Sequence, residues 1–304
     1  MLRAPAQSYD RVMPELPEVE CVRRSLERLV VGRRVKAVRV NRRDVIVGSA
    51  GPKALLVGDR VGQVLRHGKQ LAIVGEGGGC VSVHLGMSGQ LCVVTPESTA
   101  GPVTQRTSGR SGSVKGAALP AHTHVLWSLD GGLAVRFTDP RRFGGLWTFA
   151  HLDELKARRW ARLGPDALEI GPAKLAQQLG KTTRSLKAAL LDQALVAGLG
   201  NIYVDELLYN ARIHPLLPAD ALPRQNVPGL VRRMRTLLSG AIERGGSSLR
   251  DYVDADNRRG TQQMRHKVYG RAGQRCKRRG CGAFIESEQV AGRTTAWCPG
   301  CQQL

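Results

Sequence analysis

The segment Met13-Pro14-Glu15-Leu16-Pro17-Glu18 is the part of this chain best suited to covalent chemistry. If translation starts at Met13 and that methionine is removed, Pro14 presents a free secondary amine. Such an amine attacks an aldehyde-like carbon and gives an iminium ion. With a pKa near ~8, an α-amino group is also far more often neutral at pH 7 than a lysine amine. The segment therefore predicts covalent amine catalysis, provided that the residues before Met13 are absent or removed.

The same segment also fits a purely structural role at the start of a helix. Pro17 suits the first helical turn, and Glu18 and Glu20 suit the positive end of the helix dipole. Apolar residues then follow at helical spacing, at Val19, Val22, Leu26 and Leu29. This interpretation accounts for the residues from Pro17 onward but gives no reason for Met13-Pro14-Glu15, so both interpretations stay open.

Four of the seven cysteines lie near the C-terminus with the spacing of a zinc site. Cys276 and Cys281 form one pair, and sixteen residues separate it from the second pair, Cys298 and Cys301. Two short-spaced thiolate pairs suit a tetrahedral zinc ion, which with four protein ligands has a structural role. We predict one Zn²⁺ here, and two disulfides or four free thiols are the alternatives.

The other cysteines bear on the compartment. Cys21, Cys80 and Cys92 are scattered among apolar residues, which predicts buried free thiols. This usage favours a reducing, cytoplasmic location. Residues 1–12 lack the apolar segment of a secretory signal, and no apolar run reaches the ~20 residues needed to span a bilayer.

Charge points to the partner. The 304 residues include 46 Lys+Arg and 25 Asp+Glu, a net charge of +21, which favours a polyanion, with nucleic acid the first candidate. The length allows two domains with a core in each. Nine Lys and Arg residues fall within residues 258–279, beside the cysteines. They predict a phosphate-binding surface, and a solvated basic face is the alternative.

The elements that must position these residues follow from periodicity. Residues 14–31 are predicted to form a helix. Short apolar runs between glycine turns predict an antiparallel sandwich or barrel, with strands at Val35–Val40, Gly62–Val74, Val81–Leu85, Gln90–Val94, Val125–Ser128 and Leu133–Phe137. Helices are predicted at Leu155–Leu163, Ala173–Leu179, Ser185–Ala197, Ile202–Ala211 and Val227–Glu243.

The connections carry two further predictions. A flexible basic loop is expected between Pro96 and Pro120, and a polar loop from Ser247 to Arg275. The turn Gly198-Leu199-Gly200-Asn201 leads into a helix, and the free N–H groups there suit a phosphate. A simple helix C-cap is the alternative for this turn.

Together these motifs resemble the formamidopyrimidine-DNA glycosylase family from Met13 to the C-terminus. The shared motifs follow the family order: Pro14-Glu15-Leu16-Pro17-Glu18, Arg66-His67-Gly68-Lys69, His84-Leu85-Gly86-Met87-Ser88-Gly89, Asp139-Pro140-Arg141-Arg142-Phe143-Gly144, Leu191-Asp192-Gln193 through Gly200-Asn201-Ile202-Tyr203, Val268-Tyr269-Gly270-Arg271 and Arg293 before Cys298. The resemblance implies an α+β multidomain fold, with an N-terminal antiparallel β-sandwich, a helix–two-turn–helix domain and a zinc-ribbon hairpin.

The expected divisions are an N-terminal extension at 1–13, a catalytic sandwich at 14–151 and a linker at 152–165. A helical domain with a lid loop at 166–262 and a zinc finger at 263–304 follow. The resemblance implies catalytic roles for four residues. Pro14 would displace the base at the sugar C1′, Glu15 would act as acid and base, and Lys69 and Arg293 would assist elimination and contact DNA.

Other residues are expected to hold the DNA. The resemblance assigns Met87, Arg141 and Phe143 to filling the hole left by the extruded base. It assigns contacts with DNA phosphates to five more residues, His84, His122, Arg142, Lys181 and Asn201. Without the resemblance, Met87 and Phe143 would be core residues, Lys69 an exposed strand lysine and Arg293 a solvated hairpin tip.

The implied activity is removal of an oxidised purine, such as 8-oxoguanine or a formamidopyrimidine, from duplex DNA. Strand cleavage by β,δ-elimination through a proline Schiff base follows, and the enzyme is expected to be a monomer without redox cofactor or nucleotide. Four features depart from the family pattern. They are the N-terminal extension, the wide Cys276–Cys281 spacing, the basic insertion at 97–119 and a lid loop at 254–264 that lacks an aromatic residue.

Two alternatives remain. One is an endonuclease VIII-type enzyme for oxidised pyrimidines. The other is a non-catalytic, zinc-dependent binder of damaged DNA, which applies if the extension is retained and blocks Pro14.

Overall fold

A computed structural model describes residues 13–95, 119–249 and 252–304. The predicted extension before Met13 and nearly all of the basic insertion lie outside the described residues. The helices are α1 (Leu16–Val30), α2 (Leu152–Arg158), α3 (Pro172–Leu179), α4 (Leu186–Leu191), α5 (Asn201–Ala211) and α6 (Val227–Glu243). The strands are β1 (Val35–Val40), β2 (Ile46–Val47), β3 (Val61–His67), β4 (Gln70–Gly75), β5 (Cys80–His84), β6 (Gln90–Val94), β7 (Thr123–Leu129), β8 (Ala134–Thr138), β9 (Gly145–Phe149), β10 (Glu286–Val290) and β11 (Arg293–Trp297).

Two sheets form the N-terminal sandwich, in the orders β1-β7-β8-β6 and β2-β9-β5-β4-β3. Their inward residues share one core with the apolar stripe of α1, which includes Val19, Val22 and Leu26. All neighbouring strands are antiparallel except the short pair β2–β9, which is parallel. The predicted sandwich is thus confirmed.

Two details of the predicted sandwich are wrong. The run Gly62–Val74, predicted as one strand, is a hairpin, because Gly68 adopts a positive φ of 56° and turns the chain. Strand β9 was not predicted as a separate strand, although it pairs with β5 at the centre of its sheet.

The helical part has its own core, formed mainly by α4, α5 and α6. The predicted helix Ser185–Ala197 is too long, since α4 ends at Leu191. The reason lies in the next two side chains. Asp192 Oδ1 accepts a hydrogen bond from the N–H of Ala194 at 2.9 Å, and the Gln193 amide bonds the backbone of Leu191, Gly198 and Leu199. These bonds replace helical ones and fix a turn.

The C-terminal hairpin β10–β11 packs against α5 through a small core that includes Tyr209, Val268 and Ile285. Elsewhere, Cys21, Cys80 and Cys92 are buried free thiols, as predicted. No helix within the described ranges has both the length and the apolar character needed to cross a membrane.

Candidate active site

A cavity of about 290 Å³ opens where the sandwich, the helical part and the C-terminal hairpin meet. Residues from all three parts line it: Met13, Glu15, Lys69, Gln70, His84, Leu163, Leu191, Gln193, Gly200, Asn201, Ile202, Tyr269 and Arg293. Five predicted site residues, distant in sequence, therefore share one cavity. Pro14 is buried between two of the lining residues, Met13 and Glu15.

The Glu15 carboxylate is held by the N-terminus of α5. It accepts hydrogen bonds from the backbone N–H groups of Gly200 at 2.7 Å, Ile202 at 2.8 Å and Tyr203 at 3.3 Å. The prediction that these N–H groups bind a DNA phosphate is therefore wrong for this structure, because a carboxylate of the chain already occupies them. Burial raises the pKa of Glu15, against the opposing effects of Lys69 and the three N–H donors.

A second buried carboxylate, Glu18, fixes the backbone beside Pro14. It accepts from the Glu15 N–H at 2.9 Å, the Tyr203 hydroxyl at 2.6 Å and the Ser247 N–H at 2.7 Å. Burial and the neighbouring Glu15 raise the pKa of Glu18 to about 7. Sequence reasoning gave Glu18 only a place at the helix N-terminus. Its contact with Ser247, which is 229 positions away, has no local sequence signal.

Lys69 lies in the β3–β4 turn and is partly buried, so it is not an exposed strand lysine. The turn is anchored by the N–H of Gly68, which donates to Asp166 Oδ2 at 2.8 Å. Burial lowers the pKa of Lys69, Glu15 opposes this change and Arg293 adds to it. A lysine with a lowered pKa is more often neutral and so better able to accept a proton.

Arg293 begins β11 and reaches the cavity from the C-terminal hairpin. The next residue, Thr294, ties the hairpin to the helices, because its carbonyl accepts from Asn201 Nδ2 at 2.8 Å and Lys187 Nζ at 3.2 Å. The side-chain amide of Asn201, predicted to contact a DNA phosphate, therefore already donates one hydrogen bond within the protein. Arg293 lines the cavity, and it is also exposed at the tip of the hairpin, where it pairs with Val290 across the turn.

The predicted base-replacing residues lie on two adjacent loops. Asp139 joins the loops, since its carboxylate accepts from Ser88 Oγ at 2.5 Å and from the Gly144 N–H at 2.7 Å. Met87 is half-buried on one loop, and Phe143 on the other is 60% exposed. The expectation that Phe143 would belong to the core without the resemblance is therefore wrong.

Four basic residues of the predicted set lie outside the cavity lining. Arg142 is exposed and pairs with Asp44 at 2.9 Å. His122 occupies an exposed turn with a positive φ of 62°, and Lys181 lies in the exposed turn after α3. Arg141, exposed beside Phe143, is placed similarly.

The four C-terminal cysteines form a cluster in which all Sγ atoms lie within 4.8 Å of one another. The Sγ–Sγ separations are 3.9 Å for Cys276–Cys301, 3.5 Å for Cys281–Cys298 and 3.3 Å for Cys281–Cys301. Thiolates around a tetrahedral zinc ion lie roughly 3.8 Å apart, given Zn–S bonds of about 2.3 Å. The cluster fits one structural Zn²⁺. The wide sequence spacing of Cys276 and Cys281 still places both of their Sγ atoms in the cluster.

Known proteins match the chain over nearly its whole length. The family model of the formamidopyrimidine-DNA glycosylase N-terminal domain matches residues 13–146, and that of its H2TH domain matches 163–253. A zinc finger found in FPG and IleRS matches 273–304. The chain is 38% identical over 296 residues to the formamidopyrimidine-DNA glycosylase of Geobacillus kaustophilus, with 96% of this chain and 100% of that protein covered. It is 40% identical over 297 residues to that of Cereibacter sphaeroides, with the same coverage.

Solved structures of related proteins are also similar to this chain in fold and sequence. MutM (Fpg) from Thermus thermophilus has a TM-score of 0.79 and 38% identity, covering 95% of this chain and 98% of that one. A complex between Lactococcus lactis Fpg and DNA containing an abasic site has a TM-score of 0.79 and 31% identity, covering 95% and 100%. MutM in complex with DNA containing carbocyclic 8-oxo-G has a TM-score of 0.78 and 32% identity, covering 96% and 100%.

Proposed function

The chain belongs to the formamidopyrimidine-DNA glycosylase family, and from that premise we propose that Pro14, once its nitrogen is free, is its nucleophile. The enzyme excises oxidised purines from DNA and has the AP lyase activity of its family. The observation that carries the residue assignment is the shared cavity. It joins the residues on both sides of Pro14 to a lysine, Lys69, and an arginine, Arg293.

In the proposed reaction, the Pro14 nitrogen attacks the sugar C1′, the bond to the damaged base breaks, and the departing base takes up the proton that the nitrogen loses. The sugar ring then opens as its C1′–O4′ bond breaks, the ring oxygen gains a proton, and an iminium ion forms. Glu15 is the proposed acid and base for these transfers, because it follows Pro14 in the sequence and lines the same cavity. Its raised pKa favours the protonated form that the ring oxygen requires.

The iminium acidifies the C2′ proton, and its loss allows β-elimination, which a δ-elimination follows. Lys69 is proposed to assist elimination and contact phosphate, since its lowered pKa suits proton transfer. Arg293 is proposed to contact DNA near the lesion and assist the second elimination. Zinc supplies no step, and its role is to hold the hairpin from which Arg293 extends.

Two groups of residues are proposed to hold the extrahelical state of the DNA. Met87 and Phe143 would support the stack and Arg141 would bond the unpaired cytosine, for which a guanidinium is suited. Phosphate contacts are proposed for His84, His122, Arg142, Lys181 and Asn201. We also propose the divisions 14–151, 152–165, 166–262 and 263–304 as domains and linker, and a cytoplasmic location on the nucleoid DNA.

A free Pro14 requires that residues 1–13 be absent from the active protein. Two findings support this. The match to the N-terminal family model begins at residue 13, and the full length of the Geobacillus kaustophilus relative aligns with 96% of this chain. Met13 would then be the initiating residue, and its removal would expose the amine. Mass spectrometry of the protein from its native host tests this, and an intact Met1 terminus would overturn it.

Borohydride trapping on 8-oxoguanine:cytosine duplexes tests the nucleophile. A protein that begins at Pro14 should give a covalent adduct, and peptide mapping should place the sugar remnant on Pro14. Pro14→Gly should retain part of the trapping, since a primary terminal amine remains, whereas a homogeneous protein that retains residues 1–13 should give none. A robust adduct from the extended protein, or a remnant on another residue, would overturn the assignment. A thymine-glycol duplex run in parallel tests the purine preference.

A further inference from the structure

The residue after α2, Arg159, has no role in the chemistry above. Its guanidinium lies 3.5 Å from the centre of the Trp147 ring, and its Nε donates to Gln70 Oε1 at 3.1 Å. Both supporting residues belong to the five-stranded sheet, on β9 and β4. Stacking on an indole and one hydrogen bond together restrict the guanidinium to one position.

Strand register connects this position to the cavity. Gln70 pairs with His84, and Ser82 pairs with Trp147. Paired residues, and residues two apart on a strand, present their side chains on the same face of a sheet. The side chains of Gln70, His84 and Trp147 therefore share one face, and Gln70 and His84 also line the cavity. Arg159 thus continues the cavity wall beyond His84.

Among the described residues, the charge of Arg159 has no counter-ion. In the described part of the chain, the ion pairs on α2 join Lys156 to Asp153 and Arg158 to Glu154, and none includes Arg159. No hydrogen bond there uses its two terminal nitrogens. Burial lowers the pKa of His84 to about 4, and Arg159 is the neighbour that lowers it most. A fixed guanidinium without a carboxylate is suited to an anion from outside the chain.

We propose that Arg159 binds a backbone phosphate of the DNA strand that leaves the cavity past His84. This inference rests on the proposed function, because it requires DNA in the cavity. A guanidinium donates two parallel hydrogen bonds to a phosphate, and its stack on Trp147 fixes the direction of the donors before DNA arrives. Each such contact contributes about 0.9 to the slope of log K against log salt.

Fluorescence anisotropy with a duplex that contains a tetrahydrofuran abasic analogue measures this slope for the full chain. Arg159→Gln should reduce the slope by about 0.9 between about 50 and about 200 mM salt. Arg158→Gln is the matched control, since it removes the same charge one residue away from an exposed arginine paired with Glu154. The control should leave the slope nearly unchanged. Equal slopes for the two variants would overturn the proposal.

Duplexes with one neutral methylphosphonate at a time locate the contact. At one position, the methylphosphonate should weaken DNA binding by the unsubstituted protein but should not weaken binding by Arg159→Gln any further. If every methylphosphonate weakened binding by Arg159→Gln as much as it weakened binding by the unsubstituted protein, the inference would also be overturned. Borohydride trapping reports separately on the proposed function. If trapping gives an adduct but no phosphate position depends on Arg159, only this inference is refuted. If a protein that begins at Pro14 gives no adduct, the proposed function is refuted.

Discussion

Lys187 and Asp205 form an ion pair of 2.6 Å in which the two side chains are 0% and 1% exposed. The pair does more than join α4 to α5. Lys187 Nζ also donates to the Thr294 carbonyl, and Asp205 Oδ2 accepts from the Ala296 N–H at 3.0 Å. Both charges therefore bond β11, at the positions that follow Arg293. Buried charge here fixes the cavity arginine relative to the helices.

Removing one member of the Lys187–Asp205 ion pair should lower the free energy of unfolding considerably. Lys187→Met leaves the Asp205 carboxylate buried without its counter-ion, and such changes destabilise by about 3 to 5 kcal/mol. Urea unfolding followed by circular dichroism measures the loss. The double variant Lys187→Met/Asp205→Leu should recover much of the stability, because no buried charge then remains. A single variant as stable as the unsubstituted protein would contradict this account.

Glu18 should make stability depend on pH. Burial and the neighbouring Glu15 raise the pKa of Glu18 from its ordinary value of 4.5 to about 7. Between these values the unfolded chain releases the proton while the folded chain keeps it, so stability falls as pH rises. The stabilisation is present in full below about pH 4.5, and about 3 kcal/mol of it is lost between about pH 4.5 and about pH 7.

The measurement is the free energy of unfolding at a series of pH values. Glu18→Gln should reduce the dependence across this window, even if the amide lowers stability at every pH, and part of the dependence should remain because burial also raises the pKa of Glu15 and of Asp205. Glu243→Gln changes an exposed carboxyl and serves as the control, which should keep the slope of the unsubstituted protein. An unchanged slope in Glu18→Gln would show that another group titrates.

The site divides into parts that the sequence could and could not predict. Local patterns were sufficient for the strand β1, the helix α6 and the cysteine cluster, because periodicity and ligand spacing are short-range signals. The contact of Glu15 with the N-terminus of α5 joins residues 187 positions apart, and spacing carries no information about it. The turn at Asp192 and Gln193 was missed because side-chain bonds to the backbone, not helix propensity, decide where α4 ends.

Phe143 should affect DNA binding and not folding. Its ring is 60% exposed, so Phe143→Ala removes little packing and should change stability by less than about 0.5 kcal/mol. If the ring fills the space of an extruded base, its loss should weaken binding to a lesion duplex by about 2 kcal/mol, roughly thirtyfold. Val47→Ala truncates another exposed apolar residue of the sandwich, which is 55% exposed, and should leave binding unchanged. Anisotropy titrations of both variants test the difference.

Loss of the zinc ion should reduce strand cleavage, although the four cysteines do not line the cavity. Cys298→Ser removes one of four thiolates, and the small core beneath β10–β11 has few other buried residues to hold the hairpin. Structural zinc supplies much of the folding free energy of such segments, so the hairpin should lose its order and Arg293 its position. Zinc content should fall from one ion per chain, and strand cleavage should fall at least as far as in Arg293→Ala. Cys92→Ala, which alters a buried thiol of the sandwich, should keep one zinc ion and cleave DNA normally. Normal cleavage by zinc-free Cys298→Ser would show that Arg293 does not depend on the metal.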